Sequence, residues 1–298
     1  MKNIVIIEPI GMTSEQESKL SGIFKGHSLT IFDSRGYDDQ KLLESLSLAN
    51  IIILTNRVLS YDVISQLDHL EFISVAFSGT DHINAEAIQE KGIVVKNSAG
   101  YANSAVAELT IGFMVCLARD IVNNNNNMAN GIATNTGTEL KGKKLGIVGY
   151  GNIGKKLESL ADAFGMQTIK YNSKSTLDDL ESLFKQSDFI SLNIPLNSDT
   201  RGMINKHYFN LMKPSAYLIN CARGPIVNQH DLIEALDNKK LKSAAIDVFD
   251  IEPPLQSNHI LLNRDDIIAT PHIGFNTQEA LVSKANMAIE HVINYLND

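Results

Sequence analysis

The amino-acid sequence predicts an α/β protein of two doubly wound parallel-sheet domains, one inserted into the other. Three observations carry that expectation. Short runs rich in Val, Ile and Leu alternate with amphipathic stretches along nearly all of the 298 residues. Most of those runs are apolar throughout, the pattern of strands covered on both faces of a parallel sheet. The strand–helix rhythm occurs twice, on either side of a glycine-rich motif, "GYGNIG" at 149–154, that arrives only halfway along the chain. At roughly 100–200 residues per domain, the length suits two.

Ahead of the motif the strand candidates are Ile4–Ile7, Leu29–Phe32, Ile51–Leu54, Phe72–Ala76 and Ile93–Val95. The helical stretch Glu15–Phe24 is introduced by a capping box, Ser14 and Glu17, three residues apart. Ser104–Val122 is apolar at helical spacing and longer than its neighbours, so it reads as the helix joining the domains. The run "NNNNNMANGIATNTG", 123–137, has almost no apolar content and reads as a solvated loop or frayed helix end. Lys144–Val148 is the strand that opens the motif. After it come Thr168–Tyr171, Phe189–Leu192, Tyr217–Asn220, Ala244–Val248 and Ile267–Ala269, then a last helix, Thr277–Leu296. The mid-chain motif makes sense if one domain is built from both ends of the chain. Residues 1–100 form it and 276–298 return to it, while 101–275 form the other. A substrate would then lie between the two, at strand carboxyl ends.

Composition narrows the function classes. The net charge of −8, with no Lys/Arg-rich run, argues against nucleic acid. The longest apolar candidate for a membrane span, Leu109–Ala118, is closed off by Arg119 and Asp120. The N-terminal apolar stretch is broken by Glu8 and Pro9 and offers no small-residue cleavage site, so it reads as a strand and not a signal peptide. Cys116 and Cys221 make neither a disulfide framework nor a metal cluster. A soluble, cytoplasmic protein without a metal is expected.

The motif supplies the first chemistry. Gly149, Gly151 and Gly154 stand at the G-x-G-x-x-G spacing, after a strand and before a helix. The first glycine permits a tight turn, the second lets a pyrophosphate approach the backbone, and the third lets helix and strand pack closely. The helix N-terminus then offers unpaired N–H groups to the phosphates. The inserted domain is therefore read as a Rossmann-type dinucleotide-binding domain and the other as flavodoxin-like. The following strand ends at Tyr171, where a ribose-reading carboxylate is expected; the chain offers Asn172, Ser173 and Lys174 instead. With no carboxylate to repel a 2′-phosphate and a lysine to pair with it, NADP(H) is expected in preference to NAD(H).

Three residues beyond the motif suit reduction of a 2-keto acid. Arg223, in "LINCARGP", follows an apolar strand, and its planar fork suits a carboxylate. Glu252, in "DVFDIEPP", and His272, in "IIATPHIGF", follow two more strands. Taken singly, each is ordinary: a surface arginine, a turn carboxylate, a structural histidine. Together, at the carboxyl ends of one sheet, they are a carboxylate clamp, a proton carrier and a partner to orient it.

In order and spacing the chain resembles the D-isomer-specific 2-hydroxyacid dehydrogenase family. The matching stretches are "FSGTDHIN", "AVAE", "GTELKGKKLGIVGYGNIG", "SLNIPLNSDT", "LINCARGPIVNQHDLIEAL", "AAIDVFDIEP" and "ATPHIGF". The resemblance implies that Arg223 grips the substrate carboxylate, His272 is the acid/base, and Glu252 is its partner. It implies that Ser78 and Gly79 bind substrate through a backbone loop. It makes Asn152, Ile153, Pro195, Thr200, Cys221, Ala222 and Asp247 cofactor contacts, along with Arg223, His272 and the ribose-site residues. It also implies a homodimer acting on a small 2-keto or D-2-hydroxy acid. "LTNRV" and "FSGTDHIN" are most similar to the hydroxypyruvate/glyoxylate reductase branch, with the phosphoglycerate dehydrogenase-like branch beside it. A carboxylate at 252 speaks against the formate-dehydrogenase branch, which has glutamine there. Departures are Asn193 where histidine is frequent, the absence of tryptophan and basic residues from 123–137, and the missing ribose aspartate. Some relatives of this fold are dinucleotide-sensing co-repressor scaffolds that retain the same three residues. The absence of extended tails here favours the enzyme, and turnover of 2-keto acids discriminates the two.

Overall fold

A computed structural model of the chain describes residues 1–251 and 254–298, and these divide into two compact units. The first unit comprises Met1–Ala102 and Thr277–Asp298, the second Asn103–Asn276. In chain order the first holds β1 (Asn3–Ile6), α1 (Ser14–Ile23), β2 (Ser28–Ile31), α2 (Asp39–Leu46) and β3 (Ile51–Leu54). It continues through α3 (Tyr61–Ser65), β4 (Phe72–Val75), α4 (Ala85–Lys91) and β5 (Val94–Asn97). The strands are all parallel, in the order β2-β1-β3-β4-β5, the flavodoxin-like winding. Every residue of β3 and β4 is buried. The outer strands β2 and β5 are half-exposed, because an edge strand has a neighbour on one side only. The cap of α1 also differs from the sequence expectation. Thr13, not Ser14, is the N-cap, its hydroxyl accepting from the Gln16 N–H while the Gln16 side chain accepts from the Thr13 N–H. The Ser14 backbone is already helical, so its hydroxyl cannot reach back to close the turn.

The second unit opens with α5 (Asn103–Arg119) and α6 (Ile121–Ala129). The expected single helix over 104–122 is broken at Asp120, which takes the left-handed conformation at φ 51°. Of the run 123–137, expected as a solvated loop or frayed helix end, the seven residues 123–129 are helical, in a helix that buries none of its side chains. There follow β6 (Lys144–Val148), α7 (Asn152–Ala163), β7 (Gln167–Tyr171), α8 (Leu177–Gln186), β8 (Phe189–Leu192) and α9 (Lys206–Leu211). Then come β9 (Tyr217–Asn220), a 3-10 turn at Gly224–Ile226, α10 (Gln229–Asp237), β10 (Ser243–Ile246) and β11 (Ile267–Ala269). The parallel order is β11-β10-β9-β8-β6-β7. Leu157 and Ala161 of α7 pack with α5 residues such as Phe113 and Met114 on one face of this sheet. Leu180, Leu183 and Phe184 of α8 join α9 and α10 on the other. The winding therefore reverses between β6 and β8, and the region beyond their carboxyl ends is where doubly wound sheets bind ligands.

The last helix, α11 (Gln278–Asn297), belongs to the first unit. Ala285, Ala288, Ile289 and Val292 pack with Ile4, Ile6, Ile51, Ile53 and Phe72, and the Ser74 hydroxyl donates to the Ala288 carbonyl at 2.8 Å.

Candidate active site

The glycine turn lies at the winding reversal, and its shape follows from contacts that admit no side chain. Gly149 has φ 101°, and a Cβ there would collide with the carbonyl of Asn193 at the end of β8. A Cβ on Gly154 would come within 2.6 Å of the Gly149 carbonyl oxygen and 3.0 Å of the Ile147 side chain. At Gly151, by contrast, no atom stands within 4 Å of where a Cβ would project. The space in front of that backbone is open, as the approach of a pyrophosphate requires. Gly151 is also the N-cap of α7, with no side chain satisfying the first-turn N–H groups that begin at Asn152 and Ile153. These residues fit the phosphates of a dinucleotide. The turn is tied to the next strand through the Tyr171 carbonyl, which accepts from Gly149 N at 2.9 Å and Tyr150 N at 3.0 Å.

That tie brings the end of β7 to the turn. Asn172 closes a local turn in which its Oδ1 accepts from Lys174 N at 2.9 Å. Ser173 and Lys174 are exposed. The nearest downstream carboxylates are Asp178 and Asp179. Asp179 is engaged with Thr176 in the capping box of α8, accepting from the Thr176 backbone N–H at 2.8 Å.

The loops after β9, β10 and β11 gather at the same end of the sheet. Beyond β9, buried Asn220 folds over Cys221–Arg223, its Oδ1 accepting from Ala222 N and its Nδ2 donating to the Arg223 carbonyl, both at 3.0 Å. Gly224 then passes against the backbone of Phe249, so closely that any Cβ would overlap it. Arg223 is thus fixed between a buried asparagine and a glycine contact, and its Nη1 donates to the Ala222 carbonyl at 2.8 Å. Cys221 turns its sulfur toward Thr110 of α5, 3.8 Å away. Burial, and then the charge of Asp247, push this thiol well above its ordinary range, so it stays protonated.

Asp247, at the end of β10 and fully buried, organises the loop that carries His272. Its carbonyl accepts from His272 N at 2.8 Å. Its carboxylate accepts the Thr270 hydroxyl, Ile273 N at 2.8 Å and Gly274 N at 2.7 Å. Burial pushes the Asp247 carboxyl up from its ordinary value, and these three donors oppose the shift. His272 is held at φ 54°, a left-handed conformation that non-glycine residues adopt at a cost of about 1 kcal/mol or more. Its ring meets Phe275 edge-on, centroids 5.4 Å apart.

Other expected site residues are scattered. Pro195 is exposed in the loop after β8, and the Thr200 hydroxyl folds back to donate to the Pro195 carbonyl at 2.7 Å. Ser78 and Gly79 follow β4 in the first unit, where the Ser78 carbonyl accepts from Asn97 Nδ2 at 2.6 Å. Glu252 lies outside the described residues. Sequence reasoning missed Asn220 and Thr270; the available signal was a polar residue ending an apolar strand, as in "YLIN". Among the described residues, no group of three or more His, Cys, Asp or Glu is arranged to hold a metal ion, and no helix is long and apolar enough to cross a membrane.

A sequence model described as D-isomer specific 2-hydroxyacid dehydrogenase, NAD binding domain, matches residues 111–274. The chain belongs to the D-isomer specific 2-hydroxyacid dehydrogenase family. Within it, the chain is 36% identical over 272 residues to the D-3-phosphoglycerate dehydrogenase of Methanocaldococcus jannaschii, a match covering 86% of this chain and about half, 52%, of that protein. It is 36% identical over 259 residues to the hydroxypyruvate reductase of Thermotoga maritima, covering 83% of this chain and 85% of the other. The crystal structure of a glyoxylate reductase from Paecilomyes thermophila superposes with a TM-score of 0.87 at 27% identity, covering 98% of this chain and 94% of that one.

Proposed function

We propose that this protein is an NAD(P)-dependent D-2-hydroxyacid dehydrogenase that interconverts a small 2-keto acid and its D-2-hydroxy acid. The observation that carries the reading is the arrangement at one end of the second sheet. A glycine turn open at Gly151, Arg223 after β9 and His272 after β11 are all held by buried contacts. The bound nicotinamide supplies hydride to, or removes it from, the carbon bearing the oxygen. Arg223 binds the substrate carboxylate and draws electron density toward the carbonyl oxygen. His272 gives its proton to that oxygen in reduction and takes it back in oxidation. Glu252, on the family pattern, bonds the far ring nitrogen and fixes the tautomer. Ser78 and Gly79 are proposed as further substrate contacts on the same ground, and Asn152, Ile153, Pro195, Thr200, Cys221, Ala222 and Asp247 as cofactor contacts. For Cys221, that contact is through its backbone, since the sulfur faces Thr110.

The reading extends to NADP(H) in preference to NAD(H). Ser173 and Lys174 are exposed beside a turn that holds no carboxylate, and Asp179 is engaged elsewhere. It also extends to a homodimer in the cytoplasm. α6 buries none of its residues and leaves Ile121, Val122 and Met128 exposed, with Ile132 beyond, a surface that favours a partner of the same chain. Glyoxylate and hydroxypyruvate are the first substrates to assay, with pyruvate and a phosphorylated keto acid beside them, each with NADPH and NADH. Turnover of at least one with D-stereochemistry supports the reading; a protein that binds the dinucleotide and turns over none of them sinks it.

A further inference from the structure

The glycine turn has one side chain between its first two glycines, that of Tyr150, and the structure employs it. Gly149 and Gly151 carry no side chain to pack, and no side chain caps α7. The backbone between them is anchored by two N–H groups sharing one acceptor, the Tyr171 carbonyl. Glycine leaves the backbone of such a turn more conformations to choose from than any other residue would. The Tyr150 ring folds back along α7, and its hydroxyl donates to the carboxylate of Glu158, about two helical turns on. The same carboxylate accepts the Thr168 hydroxyl at 2.9 Å and forms an ion pair with Lys170. The Lys170 ammonium in turn stands 4.7 Å from the centre of the Tyr150 ring. Thr168 and Lys170 are two apart on β7 and so share a face, the one α7 covers, while Ile169 and Tyr171 pack into the core on the α8 side.

We propose that Tyr150, Glu158 and Lys170 form a latch that holds the glycine turn in its phosphate-receiving shape, making them positioning residues for dinucleotide binding. The inference rests on the dinucleotide reading above. A lone ion pair at this exposure would contribute little to anything. What distinguishes this one is that the carboxylate also accepts from a rigid side chain belonging to the turn itself. The ion pair with Lys170, with the Tyr150 and Thr168 hydroxyls, holds the Glu158 carboxyl below its ordinary 4.5, so it stays an acceptor. The same bond pushes the Tyr150 hydroxyl above its ordinary 10.0, so it stays a donor. The latch is therefore closed across the physiological range. A turn ordered in advance spares the ligand the entropy of ordering it, which raises affinity without adding a contact.

The test compares Tyr150→Phe, which removes only the hydroxyl link, with Thr168→Val, which loosens Glu158 without touching the turn. Dinucleotide Kd and steady-state KM and kcat are measured on the full chain, with hydrogen exchange of the 149–152 amides in the absence of ligand. Tyr150→Phe is expected to raise Kd and cofactor KM roughly two- to tenfold, more than it changes kcat, and to speed exchange at those amides. Thr168→Val is expected to move Kd less than twofold, whatever it does to thermal stability. Unchanged exchange in Tyr150→Phe, or equal Kd shifts in the two variants, overturns the latch. A wild type that binds neither NADH nor NADPH would refute the dinucleotide reading instead, and the exchange data would still decide whether Tyr150 holds the turn.

Discussion

At position 272 the chain accepts a left-handed histidine, and the reason is written around it. The Asp247 carbonyl takes the His272 N–H, and the Asp247 carboxylate takes the next two amides, leaving the imidazole no other backbone path. A backbone held so firmly fixes where the imidazole begins, and in proton transfer geometry matters as much as basicity. His272→Gln should therefore lower kcat by about 10²–10⁴ while dinucleotide binding by calorimetry stays near wild type. Near-normal turnover would remove the proposed role. Arg223→Lys keeps the charge but not the fork, so its effect should fall chiefly on KM for the keto acid. At the ribose end, Lys174→Ala should shift the NADPH/NADH ratio of kcat/KM toward NADH by roughly tenfold, the worth of one hydrogen bond to a charged group. An NADH preference in the wild type would end the NADP proposal, and an unchanged ratio in the variant would take Lys174 out of it.

Between residue and fold, the elements show which local signals were readable. β3, β6, β8, β9 and β11 have the bounds their apolar runs predict; the first four are buried almost throughout, and strands buried on both faces saturate their sequence with Ile, Leu and Val. Helix ends were less legible. Whether Thr13 or Ser14 caps α1 depends on which residue leaves helical φ and ψ, and both carry a hydroxyl. The break at Asp120 depends on a positive φ that no periodicity announces. Polar bonds across elements were not legible at all, since Glu158 lies on α7 and Thr168 and Lys170 on β7, and they meet only when α7 packs on β7. Their pH signature is specific. The Glu158 pKa is depressed in the folded state, so its contribution to stability is complete above the ordinary 4.5 and is lost as pH falls through the lower folded value. In Glu158→Gln the decline of urea-unfolding stability between about pH 5 and 3 should be shallower than in the wild type. Parallel declines would mean that the ion pair does not contribute.

For the molecule as a whole, the division into Met1–Ala102 with Thr277–Asp298 and Asn103–Asn276 invites a direct experiment. A fragment of residues 103–276 contains every strand of the second sheet and both of its helical layers. It should be a folded protein that binds dinucleotide in calorimetry and reduces no keto acid. A folded fragment without cofactor affinity would refute the assignment of cofactor binding to this unit. The sequence by itself determined the succession of strands and helices, the placement of the glycine turn after β6, and the presence of Arg223 and His272 just beyond strands. Those features are local, fixed by side-chain periodicity and by what glycine alone permits. Only the tertiary structure decided the order in which strands lie side by side and the partners of each buried polar group. Asp247 and Gly274 are 27 residues apart, and nothing near either one announces the other. They meet because β10 and β11 pair in parallel, Ile246 opposite Ala269, which sets the following loops side by side beyond the sheet. Hydrogen-bond partners of that kind are selected by the register of the packed strands, a property of the whole sheet that no short stretch of chain contains.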